Sequence, residues 1–243
     1  MRSHYTLHRL YLDAALQAGT ELDMAADHVN YLGRVLRKRV GDTLRVFNGR
    51  DGEWLAEIVS AERRAMRVRV VERLREPQDG PDITLYIATL RKHRMATVLE
   101  KATELGVKTI QPIITQRTQF TALNMDRAKA QIIEAAEQTE RVDIPDIHPP
   151  IAFETVVERQ SDDRPLIFAD EAGGASRISD VVASLALPIG LLIGPEGGFH
   201  PDERDSLRAS PNVRPVTLGP RILRADTAAI SLLALVQASI GDW

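Results

Sequence analysis

Two stretches near the carboxyl end hold the residue types from which an active site is built. The first runs from Ile189 through an apolar segment into Ile193-Gly194-Pro195-Glu196-Gly197-Gly198-Phe199. A short apolar run bounded by turn residues reads as a buried strand, commonly a parallel one. Glycines at its end let the backbone approach a ligand closely. In open α/β sheets, ligands bind just outside the carboxyl ends of the strands. The second stretch, Val216-Thr217-Leu218-Gly219-Pro220-Arg221-Ile222-Leu223-Arg224-Ala225-Asp226-Thr227-Ala228, repeats the plan: a strand, Gly-Pro, then a helix. Side by side, the two turns would form one narrow, partly apolar cleft edged by backbone N–H and C=O groups, suited to a flat heteroaromatic ligand. Neither turn matches the phosphate-cradling GxxxxGK(S/T) loop or the GxGxxG dinucleotide fingerprint.

Charged groups flank these turns. Arg221 and Arg224, at i and i+3, are placed either to hold a phosphate or base edge or to ion-pair with Glu196 or Asp226. On another predicted helix, Glu134, Glu137, Gln138 and Arg141 form a polar stripe at i, i+3, i+4 and i+7. That pattern fits a solvated face or a packed network near the pocket. The chain has no Cys, which excludes disulfides, a thiolate nucleophile and Cys-ligated zinc. Its six His show no HExxH or His-x-His spacing, so no metal is expected.

The elements that position these groups fall into two patterns. Residues 1–76 read as a small β-rich domain. Thr43–Phe47 is a predicted strand, Asn48–Gly52 a turn with hairpin chemistry, and Glu53–Val59 the returning strand. Met66–Val71 alternates, with Arg67 and Arg69 on one face. Asp27 is the predicted N-cap of a helix through Leu36 that runs into Arg34, Arg37, Lys38 and Arg39 and stops at Gly41. Residues 77–82 hold two Pro and one Gly and are the expected linker. From residue 83 strands alternate with helices, which argues for a mostly parallel sheet with helices on both faces. Predicted strands are Ile83–Leu90, Thr109–Ile114, Leu166–Ala169, Leu191–Ile193 and Val216–Leu218. Predicted helices run from Met95 to Leu105, from an Asp126 N-cap to Thr139, and over Ile178–Leu185, Asp202–Leu207 and Asp226–Ser239.

The net charge is −3, yet residues 1–76 carry 14 basic and 11 acidic side chains while residues 77–243 carry 17 and 23. A basic module on an acidic body fits nucleic-acid contact and fits a solvated surface too. No apolar run approaches the length of a membrane span, and the first residues lack a signal-peptide apolar region. The expected location is the cytoplasm.

GPEGGF at 194–199 and LGPRILRADTA at 218–228 resemble the two carboxyl-terminal motifs of the bacterial RsmE family. Lys101–Val107, Glu134–Arg141 and His28–Asp42 are similar to three further motifs, so the likeness covers nearly the whole chain. The family belongs to the SPOUT superfamily of S-adenosylmethionine-dependent methyltransferases and makes N3-methyluridine in 16S ribosomal RNA. The resemblance implies a PUA-like RNA-binding β-barrel over residues 1–76 and an α/β domain with a deep trefoil knot over 83–243. It also implies a homodimer with its active site near the subunit interface and the small ribosomal subunit as partner. By position, the implied cofactor loops are Ala169-Asp170-Glu171, Ile193-Gly194-Pro195-Glu196-Gly197-Gly198, and Leu218-Gly219 with Arg221-Ile222-Leu223. Arg9, Arg34, Arg37 and Lys38 are the expected RNA contacts.

Two departures stand out. Where the family usually reads Arg-Thr-Glu-Thr-Ala, this chain has Arg224-Ala225-Asp226-Thr227-Ala228; where Gly is common before Arg141, it has Glu140. The implied chemistry requires removing the uridine N3 proton and stabilising the anionic O2/O4 edge. Arg221 or Arg224 would serve the anion, and Glu196, Asp226 or a group of the partner subunit would take the proton. Two alternatives stay open at this level. One is a SPOUT methyltransferase acting on tRNA or a ribose 2′-hydroxyl. The other is a noncatalytic RNA-binding assembly protein, favoured only by the altered motif.

Overall fold

The computed structural model describes residues 4–159, 161 and 163–243. The chain divides into two units: one runs up to Asp79 and takes in Ala136–Ile144, the other comprises Gly80–Ala135 and Pro145–Trp243.

The first unit contains β1 (Arg9–Tyr11), β2 (Glu21–Asp23), α1 (Ala26–Asn30), β3 (Thr43–Phe47), β4 (Glu53–Ala61) and β5 (Met66–Arg75). They form a mixed sheet in the order β1-β3-β4-β5-β2, with β1 parallel to β3 and the other pairs antiparallel. The β3–β4 turn is set by Asn48, whose Oδ1 accepts from the N–H groups of Arg50 and Asp51 at 2.9 and 2.8 Å. On β5, Met66, Val68 and Val70 point into the core while Arg67 and Arg69 face out. Those two arginines pair with Asp23 and Glu21 of β2.

The first helix differs from expectation. It starts after Ala25, so Asp27 lies in its first turn and caps nothing. From Tyr31 to Val35 it widens into a π-turn around Gly33, a residue with little helical preference. Arg37 then takes φ +54° and the Lys38 N–H closes onto the Leu32 carbonyl at 2.8 Å. Arg37 thus fills the left-handed terminating position usually given to Gly or Asn, and Arg37–Arg39 lie beyond the helix.

A group of charges is buried inside this unit. Glu53 is 1% exposed. Its carboxylate accepts from the Arg9 Nε and lies 3.6 Å from Arg45 and 3.9 Å from Arg75. Glu140 receives two hydrogen bonds of 2.6 Å from Arg45. Arg9 stacks 3.7 Å above the Phe47 ring and donates to the carbonyls of Ala136 and Arg141. The expectation that Arg9 contacts RNA is therefore corrected: it is 7% exposed, and its donors are used within the fold. The polar stripe divides similarly. Glu134 and Gln138 are exposed, whereas Glu137 accepts from the Tyr11 N–H at 2.8 Å and Arg141 pairs with Asp143.

Glu140 sits at φ +63°, a region that costs a residue with a Cβ about 1–2 kcal/mol. Glycine would adopt it freely, but only a carboxylate answers Arg45. The Arg45 hydrogen bonds, more than any other influence, hold the Glu140 carboxyl below the usual carboxylate range.

The second unit contains β6 (Ile83–Ala88), α2 (Lys92–Glu104), β7 (Thr109–Ile114), α3 (Met125–Gln138), β8 (Asp146–Ile147), β9 (Ile151–Ala152), α4 (Phe153–Glu158), β10 (Leu166–Ala169), β11 (Ser176–Arg177), α5 (Ile178–Val182), β12 (Ile189–Ile193), α6 (Pro201–Ala209), β13 (Val213–Thr217) and α7 (Ala225–Ile240); α3 runs on past Ala135, so its last residues count with the first unit. The sheet order is β11-β13-β10-β12-β6-β7-β8, with β9 also on β7, and every ladder is parallel. Strand β12 is buried along its whole length, as a continuous apolar run in a parallel sheet requires. The α3 cap is Asn124, whose Oδ1 accepts from the Arg127 N–H at 2.9 Å; Asp126 lies in the first turn instead. Helix α5 ends at Val182, short of Leu185. No helix among the described residues is long and apolar enough to cross a membrane.

Because the Glu140 carboxyl is depressed, its contribution to stability is full above the ordinary glutamate value of about 4.3. It is lost as the pH falls through the folded-state value. Glu140→Gln should therefore unfold more easily than the unaltered chain at pH 7. The gap should close in acid, as read by urea unfolding at a series of pH values; a gap independent of pH would contradict this.

Candidate active site

Strands β13, β10 and β12 are successive neighbours and run the same way, so their carboxyl ends share one edge. The two Gly-Pro turns are not adjacent, as β10 lies between their strands. Its own following residues, Ala169-Asp170-Glu171, join them. The three loops enclose a cleft of about 830 Å3. Each residue named above from the resemblance as cofactor-binding lines it, as do Arg94, Arg224, Ala225 and Ala228.

The cleft walls are braced from behind. Phe199 is 1% exposed and packs edge-on against Phe168 at 5.2 Å and, tilted, against Phe153 at 5.8 Å. Its ring fills the space where Gly194 has no side chain: a Cβ there would lie 2.7 Å from the ring. Gly198 takes φ +68°, and a side chain there would run into the Glu171 carboxylate. Glu203, 3% exposed, accepts from the N–H of Gln116 at 2.8 Å and from the N–H of His200 at 2.9 Å. It thereby ties the loop after β7 to the start of α6 while completing a capping box. Arg117 adds a 3.0 Å bond to the Gly197 carbonyl. Asp170 is held by Arg208 at 2.6 Å. These braces escape sequence reasoning, except that Glu203 stands three residues after the cap His200, a spacing that could have signalled the box.

The charged groups arrange themselves around a residue absent from the sequence argument. Arg94, in the first turn of α2, donates to both Asp226 oxygens at 3.0 and 2.9 Å. Its Nε lies 3.9 Å from Glu196. The partner of both carboxylates is thus Arg94. Arg221 and Arg224 are exposed at the cleft and form no ion pair among the described residues. Asp226 does not cap α7, which begins at an Arg224 N-cap without a side-chain bond. Ala225 is 6% exposed and lines the cleft. In the first unit, Arg34 and Arg37 are exposed and Lys38 is half-buried. No group of His, Cys, Asp and Glu among the described residues could hold a metal ion.

Comparison with known proteins defines the class. A family model described as an RNA methyltransferase domain matches residues 77–237, and one described as an RNA methyltransferase PUA domain matches residues 26–71. The ribosomal RNA small subunit methyltransferase E of Rickettsia conorii is 35% identical over 234 residues, 94% of each chain. Among solved structures, a putative methyltransferase from Legionella pneumophila in complex with SAM superposes with a TM-score of 0.88 at 32% identity, covering 98% of this chain and 99% of that one. The ribosomal RNA small subunit methyltransferase E of Neisseria gonorrhoeae, bound to S-adenosyl methionine, also gives 0.88, at 28% identity and 98% and 99% coverage. The chain belongs to the RsmE family, with a SPOUT-type α/β domain and a PUA-like domain before it.

Since Phe199 cannot retreat, Gly194→Ala overpacks the cleft wall, a change that typically costs about 1–3 kcal/mol. The expected result is a melting temperature lowered by several degrees. Scanning calorimetry checks it, and an unchanged transition would show that the ring has room to move.

Proposed function

We propose that this protein is an S-adenosylmethionine-dependent methyltransferase that makes N3-methyluridine in 16S ribosomal RNA of the small subunit. The observation that carries this reading is the cleft where three parallel strands end, built from the motifs that mark the family. The residues present fit the cofactor. Backbone N–H groups of Leu218 and Leu223 have no acceptor among the described residues, which suits a heteroaromatic ring edge. Ile193, Leu218 and Ala228 offer apolar surface beside them. Glu171 and Glu196 provide negative charge in the same cleft.

Held by the three loops, S-adenosylmethionine would supply an electrophilic methyl group for transfer to N3 of the uridine, its sulfur keeping the electron pair. This chain's residues do the rest. Arg221 and Arg224, exposed and unpaired, stabilise the negative charge on the O2/O4 edge once the N3 proton has gone. A cleft carboxylate takes that proton. The loops hold N3 in line for transfer, and a base paired within the RNA must first be exposed.

The proposal extends to the whole chain. Residues 1–76 act as the RNA-gripping PUA-like domain, 77–82 as a linker, and 83–243 as the catalytic domain, its cofactor loops drawn into a trefoil knot. The protein works in the cytoplasm as a homodimer during ribosome biogenesis. Arg34, Arg37 and Lys38 contact RNA phosphates, supported by the exposure of Arg34 and Arg37 and by the net positive charge of residues 1–76.

The deciding experiment is transfer of label from S-adenosylmethionine to small subunits from a strain lacking the protein, followed by nucleoside digestion. Label is expected in N3-methyluridine; label in another nucleoside would reject the uridine-N3 assignment. Replacing Arg37 and Lys38 with neutral residues should weaken RNA binding and flatten its dependence on salt by about one to two phosphate contacts, leaving cofactor affinity unchanged. An unaltered salt slope in filter binding would remove these two from the interface.

A further inference from the structure

We propose that Arg94 is a positioning residue that divides the work of the two cleft carboxylates: it fixes Asp226 and leaves Glu196 to take the proton from uridine N3. This rests on the reading of the cleft as a uridine-N3 methyltransferase site. The geometry separates the two acids. Both oxygens of Asp226 are bound by Arg94 Nη1, at 3.0 and 2.9 Å. Glu196 lies 3.9 Å from the Arg94 Nε, near enough to feel the charge and too far for a hydrogen bond. The Glu196 carboxylate accepts no hydrogen bond among the described residues, so its lone pairs are free.

Protonating Asp226 would sacrifice the charge-assisted contacts of Arg94, only 18% exposed, and leave it only the Glu196 carboxylate 3.9 Å away. Protonating Glu196 breaks no hydrogen bond. The carboxylate whose oxygens are not already engaged by a hydrogen bond, and so can receive the N3 proton, is therefore Glu196. The other charged groups at the cleft are Asp170, held by Arg208, and Glu171 from the loop after β10, Arg221 and Arg224 from the loop after β13, and Arg117 from the loop after β7. None of them forms an ion pair with Glu196 among the described residues. In the step itself the N3–H bond breaks with its electron pair left on nitrogen. The proton passes to a Glu196 oxygen, and the neutral carboxyl later returns it to solvent.

Arg94 also joins the first turns of α2 and α7. Fixing Asp226 there holds the start of α7, and with it the Arg221–Arg224 loop, against the Glu196 turn.

The test compares the pH dependence of methyl transfer for the unaltered protein, Glu196→Gln, Asp226→Asn, Arg94→Ala and Arg94→Lys. S-adenosylmethionine affinity by calorimetry and thermal unfolding are measured on each. Glu196→Gln should lower kcat by about 10²–10⁴-fold, the usual worth of a general base. It should also abolish the acid limb of the kcat–pH profile, read at saturating cofactor so that any change in cofactor affinity is separated from the step. Asp226→Asn and Arg94→Ala should lower kcat less and keep the acid limb. Arg94→Lys should recover part of the Arg94→Ala loss, because lysine restores the charge but not the separate Nη1 and Nε positions that face Asp226 and Glu196. An acid limb that survives in Glu196→Gln, or disappears in Asp226→Asn, overturns the assignment. If the unaltered protein binds cofactor but makes no N3-methyluridine, the functional reading falls and this assignment with it.

Discussion

Parallel strands that neighbour one another must end on the same edge of their sheet, and everything at the cleft depends on that constraint. Each of β13, β10 and β12 releases its chain at the same level, some 4.8 Å from the next. Three segments far apart in sequence thus arrive as one wall of backbone groups. Glycine is demanded at Gly194 because Phe199 occupies the space in front of it. The aromatic brace and the open backbone are two sides of one packing decision. Glu203, Arg117 and Arg208 then fasten the loops from outside, so that a site made of loops has little freedom to rearrange.

The first unit follows another logic. Beside its apolar core it buries Arg9, Arg45 and Glu53. Burying charges is costly unless each finds a partner, and here the partners come in a chain: Arg9 with Glu53, Arg45 with Glu53 and Glu140, Arg75 with both glutamates. Phe47 adds its ring face to Arg9. The result is a specified geometry more than a large gain in stability, because removing any one member strands the rest.

Strands, the Gly-Pro turns and the span of α7 are legible in the sequence because they depend on local pattern: periodicity, turn chemistry and apolar runs. The pairing of charges is not. Arg94 and Asp226 stand 132 residues apart, and nothing in either neighbourhood announces the other. Arg9 reads as one more cation in a basic third of the chain; only the fold reveals that it faces Glu53. Helix ends fail for a related reason. Asp27 and Asp126 have the right chemistry for caps, but Ala25 and Asn124 hold those positions, since a one- or two-residue shift in the start is decided by packing. The altered Arg224–Ala228 motif becomes intelligible in the same way, as the shorter Asp226 side chain still reaches Arg94.

The composition of the first unit has a consequence for how the chain is made. Arg9, Arg45 and Glu53 leave the exit tunnel early, but the carbonyls of Ala136 and Arg141 and the Glu140 carboxylate that complete their surroundings follow much later. Until then this segment carries two arginines whose burial is only half answered, so water must stay at their side. This unit is therefore begun before the segment that completes it and cannot be finished until that segment has followed. Its closure waits for the chain to return from the middle of the following domain, which makes the two units partners in biosynthesis rather than modules added in turn.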